Sequence, residues 1–163
     1  MFAVLVLLCG CDGLPSNCVM LPSCFDATVK VSFDNTEYEA LVTRYADRCW
    51  VVEFTAPETV KGLIFTIDGE DTEISFNGLH FTFDTEKFPV GSVVSIFIDS
   101  VDRLMPIEHE IVEGESSDFI TGQVEDMSYT MTLDKNGIPL TLELGDSGMK
   151  IEFCEFEEYE TEE

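Results

Sequence analysis

Cys49–Asp84, CWVVEFTAPETVKGLIFTIDGEDTEISFNGLHFTFD, decides the fold class. Large apolar side chains stand at every second position: Trp50, Val52 and Phe54, then Phe65 and Ile67, then Ile74 and Phe76, then Leu79, Phe81 and Phe83. Turn formers interrupt the runs at Pro57, Asp68-Gly69 and Asn77-Gly78. Successive side chains of a pleated strand point to opposite faces, so this spacing predicts a β-meander with one apolar face. The other face carries Glu53, Thr66, Glu73, Ser75 and Thr82. A one-sided antiparallel sheet must cover its apolar face, with more protein or with a ligand.

Upstream, Ala27–Phe33 and Thr36–Tyr45 alternate around Asp34-Asn35 and predict a hairpin feeding the strand at Trp50. Downstream the period changes. Between Pro89 and Leu104, Val93, Val94, Phe97, Ile98, Val101 and Leu104 recur at three and four residues, which predicts the main helix. Met105–Asp118 reads as an acidic loop with room for a second short helix. Strands return at 118–124, 127–133, 138–144 and 149–156, joined by turn-forming residues that include Lys135-Asn136-Gly137 and Gly145-Asp146-Ser147-Gly148. The tail 157–163 is almost all Glu, a pattern expected to be solvated and disordered.

The 163 residues suit one domain with a substantial core. Eight Lys and Arg against 33 Asp and Glu give a formal charge of −25, which repels phosphate backbones and argues against nucleic-acid binding. Hydrophobic residues make up 45 %, enough to fold despite that charge.

At the amino terminus the apolar run Phe2–Leu8 is followed by Leu8-Cys9-Gly10-Cys11. This resembles the bacterial lipobox, an aliphatic residue, two small ones and the lipidated Cys. The resemblance implies a signal peptide over 1–10, acylation of Cys11 with palmitate-type chains, and a tether over 11–25 rich in Pro and Ser. The protein is then a lipoprotein of the bacterial cell envelope, anchored on the extracytoplasmic face of the cell membrane. The residues alone also allow a buried N-terminal strand ending in Gly-Cys, whereas a transmembrane helix needs about 18 apolar residues.

The order of elements carries a second resemblance. A strand ending Phe54-Thr55-Ala56-Pro57, a strand ending Asp68-Gly69, a central helix, and Asp134-Lys135-Asn136-Gly137 shortly before Pro139 are similar to the lipoprotein-carrier family of LolA and LppX type. The likeness spans roughly Ala27–Phe156, within a domain placed at 26–156. It implies a mainly β fold with minor α: a strongly curved antiparallel sheet, or unclosed half-barrel, with one main helix covering the concave face. It also implies that the concave face receives a hydrophobic ligand, a lipid or acyl chain. Candidate lining residues are Trp50, Phe54, Phe65, Phe76, Phe81, Phe83, Phe97 and Ile98, although aromatic stripes on strands are more often ordinary core.

Catalytic and metal chemistry find little support. Gly145-Asp146-Ser147-Gly148 matches the residues around a chymotrypsin-type nucleophile, but neither histidine, His80 nor His109, sits in a triad pattern. The oxygen-rich turns Asp68–Asp71 and Asp134–Gly137 do not continue as an EF-hand loop, and no Cys or His spacing suits zinc. No cofactor is expected, and the protein is read as a non-enzyme. Cys18, Cys24, Cys49 and Cys154 allow three disulfide pairings that spacing does not rank, or none. Two functions remain: an anchored carrier of an apolar ligand, or a closed-core surface lipoprotein whose acidic face binds a basic protein or another envelope component. In the source bacterium, labelled palmitate is expected to be incorporated into the wild-type chain and not into Cys11→Ser, which should leave the membrane fraction; an unlabelled wild type overturns the anchor.

Overall fold

The computed structural model describes residues 17–89 and 91–159. Cys11 and residues 1–10, expected from the sequence to be a signal peptide, lie outside them. The strands are β1 (Cys18–Met20), β2 (Phe25–Phe33), β3 (Thr36–Ala46), β4 (Cys49–Ala56), β5 (Ile64–Asp68), β6 (Asp71–Phe76) and β7 (Leu79–Asp84). A helix, α1 (Val93–Leu104), follows, and then β8 (Glu108–Glu110), β9 (Val112–Glu113), β10 (Asp118–Val124), β11 (Met127–Leu133), β12 (Pro139–Leu144) and β13 (Lys150–Glu158). Eleven strands form one curved antiparallel sheet in the order β7-β6-β5-β4-β3-β2-β13-β12-β11-β10-β9, not closed into a barrel.

Local sequence explains the connections. Asp34-Asn35 and Asn77-Gly78 each place two consecutive residues at positive φ, as two-residue hairpins matching the strand twist require. The ladders then put like with like. Ala27, Val42, Val52, Phe65, Ile74 and Phe81 form one row across six strands on the inner face. Across the carboxyl half a similar row runs through Val31, Ile151, Leu142, Met131 and Ile120.

The helix begins at Val93 rather than Pro89. Gly91 sits at φ 88°, outside helical space, and the Ser92 hydroxyl accepts the Ser95 N–H at 3.2 Å, capping the first turn. The stripe Val94, Phe97, Ile98, Val101 and Leu104 is buried against the sheet, and the Phe97 ring meets Trp50 edge-on at 5.6 Å. At the other end His109, 2 % exposed, donates from Nε2 to the Leu104 carbonyl at 2.8 Å. Its Nδ1 then accepts from the Tyr129 hydroxyl at 2.9 Å, tying the helix terminus to β11.

A buried ion pair joins helix to sheet. Arg44, 3 % exposed, donates from Nε to Asp102 Oδ1 at 2.8 Å and also donates to the Ser23 carbonyl. Trp50 Nε1 donates to Asp102 at 3.1 Å, and the Arg48 N–H does so at 3.2 Å. Burial raises the Asp102 pKa above 3.8 although Arg44 and Trp50 act to lower it.

Three expectations need correction. The segment after the helix forms no second helix but strands β8 and β9, because Glu108 and Glu110 face water while His109 turns inward. The described part of the tether is built into the fold: β1 pairs with β8, and Leu21 and Cys24 are buried. The acidic tail starts later than 157, since Glu157 and Glu158 pair with Asp26 and Phe25, and the Tyr159 hydroxyl donates to the Arg44 carbonyl at 3.0 Å. Cys18, Cys24, Cys49 and Cys154 are free thiols. Removing one partner of a buried pair leaves the other charge uncompensated, so Asp102→Ala should lower stability by about 3–5 kcal/mol, read as a shifted urea midpoint. Replacing Arg44 and Asp102 together by Met and Leu should recover much of that loss.

Candidate ligand cleft and open wing of the sheet

The eight candidate lining residues divide into two groups. Trp50, Phe54, Phe65, Phe97 and Ile98 are all buried, no more than 9 % exposed. Trp50, Phe54, Phe65 and Phe97 belong to a filled core, where the space ringed by Val29, Ala40, Val52, Phe54, Val94 and Phe97 is about 10 Å³, at the lower limit for a single water, whereas Ile98 borders a cleft on the other side of the helix. The sheet face beneath the start of α1 is thus occupied by protein. Phe76 and Phe83 are half-buried on the β6–β7 hairpin, and Phe81 is 60 % exposed. The inner face continues past the helix into this hairpin, an open wing where Leu79 is also 60 % exposed.

Between α1, the β3–β4 turn and the end of β5 lies a cleft of about 550 Å³. Ile67 from the end of β5, Phe88 from the turn before the helix, and Ile96 and Ile98 from α1 supply its apolar wall. Phe88 packs edge-on against Phe65 at 5.6 Å and stacks on Phe83 at 6.1 Å, which fixes that side. The Thr85 hydroxyl and the buried Thr72 hydroxyl are 2.9 Å apart and satisfy one another.

Arg48 stands on the rim. Its backbone is pinned twice, by its N–H on Asp102 and by its carbonyl accepting the Gly69 N–H at 3.0 Å, while its side chain is exposed. Among the described residues its guanidinium makes no ion pair, unlike Arg103 on the same cleft, which is held by Asp99, Glu125 and Asp126. Asp47, Glu86 and Asp99 complete the rim.

A larger cavity, about 680 Å³, lies beyond the same turn, between Val19–Cys24, Tyr45–Asp47 and Asn136–Ile138. Its cation, Arg44, is already committed to Asp102 and the Ser23 carbonyl, so nothing there is free to receive an anion. The cleft beside α1 is the better site. Of the residues singled out from the sequence, Ile98 lies on this cleft, while Arg48, Ile96 and Phe88 were missed. Ile67 carried a signal through its alternation with Phe65.

No protein-family model matches the chain, and no curated protein is significantly similar to it in sequence. Among solved structures it is similar to an uncharacterized conserved protein from Thermus thermophilus, with a TM-score of 0.55 and 14 % identity over 87 % of this chain and 82 % of that one. It also aligns with a LolA superfamily protein from Nitrosomonas europaea, at a TM-score of 0.45 and 11 % identity over 91 % of this chain and 89 % of that one. The first likeness is one of fold, which this chain builds as a curved, unclosed, mainly β sheet with one helix among the described residues.

The turns considered for calcium are hairpin tips. In one, Asp134 Oδ1 accepts the N–H groups of Asn136 and Ile138, each at 2.8 Å, and these bonds lower its pKa below 3.8. A carboxylate with a depressed native pKa contributes stability above the unfolded value and loses it as pH falls through the native one. The stability difference between wild type and Asp134→Asn should therefore shrink as pH drops below about 3.8, measured by urea unfolding across the acid range.

Proposed function

We propose that this protein is a non-catalytic binding protein that holds the apolar part of an amphiphilic ligand, a lipid or an acyl chain, in the cleft beside α1. Acylation of Cys11 would keep it on the extracytoplasmic face of the membrane, close to such ligands. The observation that carries this reading is the cleft of about 550 Å³ walled by Ile67, Phe88, Ile96 and Ile98, in the size range of small-molecule sites. Each Å² of apolar surface withdrawn from water there contributes roughly 25 cal/mol.

Arg48 supports an anionic head group. In a chain of formal charge −25, a guanidinium with no ion pair among the described residues, on the rim of an apolar cleft, is a local attraction for a carboxylate or phosphate. Most of the remaining polar groups are engaged. Asp102 accepts from Arg44, Trp50 and Arg48, Asp99 pairs with Arg103, and the Ser95 hydroxyl donates to the Pro89 carbonyl. On this reading the chemistry of the site is binding.

Purified without detergent, the protein should bind a fluorescent long-chain fatty acid at one site. Ile96→Lys places a charge in the apolar wall at a half-buried position and should weaken binding by about tenfold or more, a loss of about 1.4 kcal/mol. Arg48→Glu should weaken the fatty acid and spare the alcohol of the same chain length. No binding by the folded wild type, or binding that ignores Ile96→Lys, overturns the reading.

A further inference from the structure

We propose that the free edge of β7 is a docking site for an extended segment of a partner protein in which apolar and basic residues alternate, added to the sheet as a twelfth strand. The edge is open. Among the described residues β7 pairs with β6 alone, through six unbroken pairs from Asp71↔Asp84 to Phe76↔Leu79. The Thr85 N–H to Glu70 carbonyl bond, 2.7 Å, sets the phase of that ladder. Counting back by twos, Phe83, Phe81 and Leu79 turn their backbone groups toward β6. The N–H and C=O of His80 and Thr82 therefore point outward, four groups ready for one more strand.

Soluble proteins guard such edges with Lys, Pro or a bulge. Leu79-His80-Phe81-Thr82-Phe83-Asp84 has none of these. Its inner face is apolar and, among the described residues, open, with Leu79 and Phe81 each 60 % exposed beside half-buried Ile74 and Phe76. An added strand would set its own alternate apolar side chains next to Leu79 and Phe81, extending the rows that begin in the core.

The outer face specifies charge. Asp68, Asp71 and Asp84 stand directly opposite one another across β5, β6 and β7, and none is in an ion pair with a Lys or Arg among the described residues. Glu73 lies on the same face, with His80 at 3.2 Å. Like charges facing each other across strands destabilise a sheet, so Lys or Arg at the outward positions of a partner strand would relieve a repulsion already present. A second copy of β7 would bring Asp84 against the same acidic face, between chains of −25 each. The Phe2–Leu8 run has no Lys or Arg and so lacks the complement. A partner with basic residues fits where both of these fail.

The test uses the full-length protein and a synthetic seven-residue peptide alternating Val and Lys, compared with a scrambled peptide of the same composition. Binding by the alternating peptide should exceed the scrambled one by about tenfold, weaken with salt, and slow hydrogen exchange at the amides of His80 and Thr82. Thr82→Pro, which removes one outward N–H from an edge position that tolerates proline, and Phe81→Lys, a change at an exposed site, should each reduce binding at least several-fold. Fatty-acid binding in the cleft should be unchanged in both variants, so the docking and ligand readings fail separately. Equal binding of both peptides, no protection at His80 and Thr82, or a folded Thr82→Pro variant that binds normally would overturn the proposal, as would a wild-type dimer that Thr82→Pro dissolves.

Discussion

The seating of the helix on this molecule's inner face depends on the contact between Arg44 and Asp102. A guanidinium 3 % exposed and a carboxylate whose pKa is raised by burial are costly groups to remove from water. They are tolerated because each is fully engaged: Arg44 on Asp102 and the Ser23 carbonyl, Asp102 on Arg44, Trp50 and the Arg48 N–H. The pair fixes the helix over β3 and β4 and sets its rotation, since Asp102 must point at the sheet while Asp99 and Arg103 point away. Through the Arg48 amide the same carboxylate also holds the β3–β4 turn. The filled core on one side of the helix and the cleft on the other follow from one constraint.

Much of this architecture was legible in the residues. The period of two from Trp50 to Phe83 placed ten side chains on one face, and the ladders put them there. Asn77-Gly78 and Asp34-Asn35 marked their turns because few other residues adopt consecutive positive φ. The stripe from Val93 to Leu104 gave the helix. Arg44 was harder. It continues the alternation of Tyr38, Ala40 and Val42, so period alone puts it inside, but its charge favours a turn until Asp102, 58 residues later, is brought beside it. His109 was hidden for the same reason, its partners being the helix terminus and Tyr129.

Apart from Ile98, the cleft could not be read from sequence, for a different reason. Its wall combines the end of β5, a turn and one side of α1, and no periodic signal spans all three. The aromatic residues that sequence did single out were chosen for size, and size favours the core. Trp50, Phe54, Phe65 and Phe97 duly fill it, whereas the half-exposed Ile96 and the exposed Arg48 carry no mark of burial.

The dimensions of the two main elements explain why an open surface remains at all. Eleven strands about 4.8 Å apart make a sheet about 48 Å wide, and a helix of 12 residues is about 18 Å long and 10 Å across. Curvature brings the sheet around the helix but cannot stretch the helix to its edges. Apolar residues beyond its reach must meet another part of the chain, a ligand or water. Phe88 serves the first purpose by stacking on Phe83, and beyond it Phe81 and Leu79 have no cover among the described residues. Repetition of the same chain is a poor remedy, because the outer face of that edge is acidic and so is the whole molecule. An apolar inner face, an unpaired backbone and a one-signed outer face on a single strand are selective together in a way that none of them is alone.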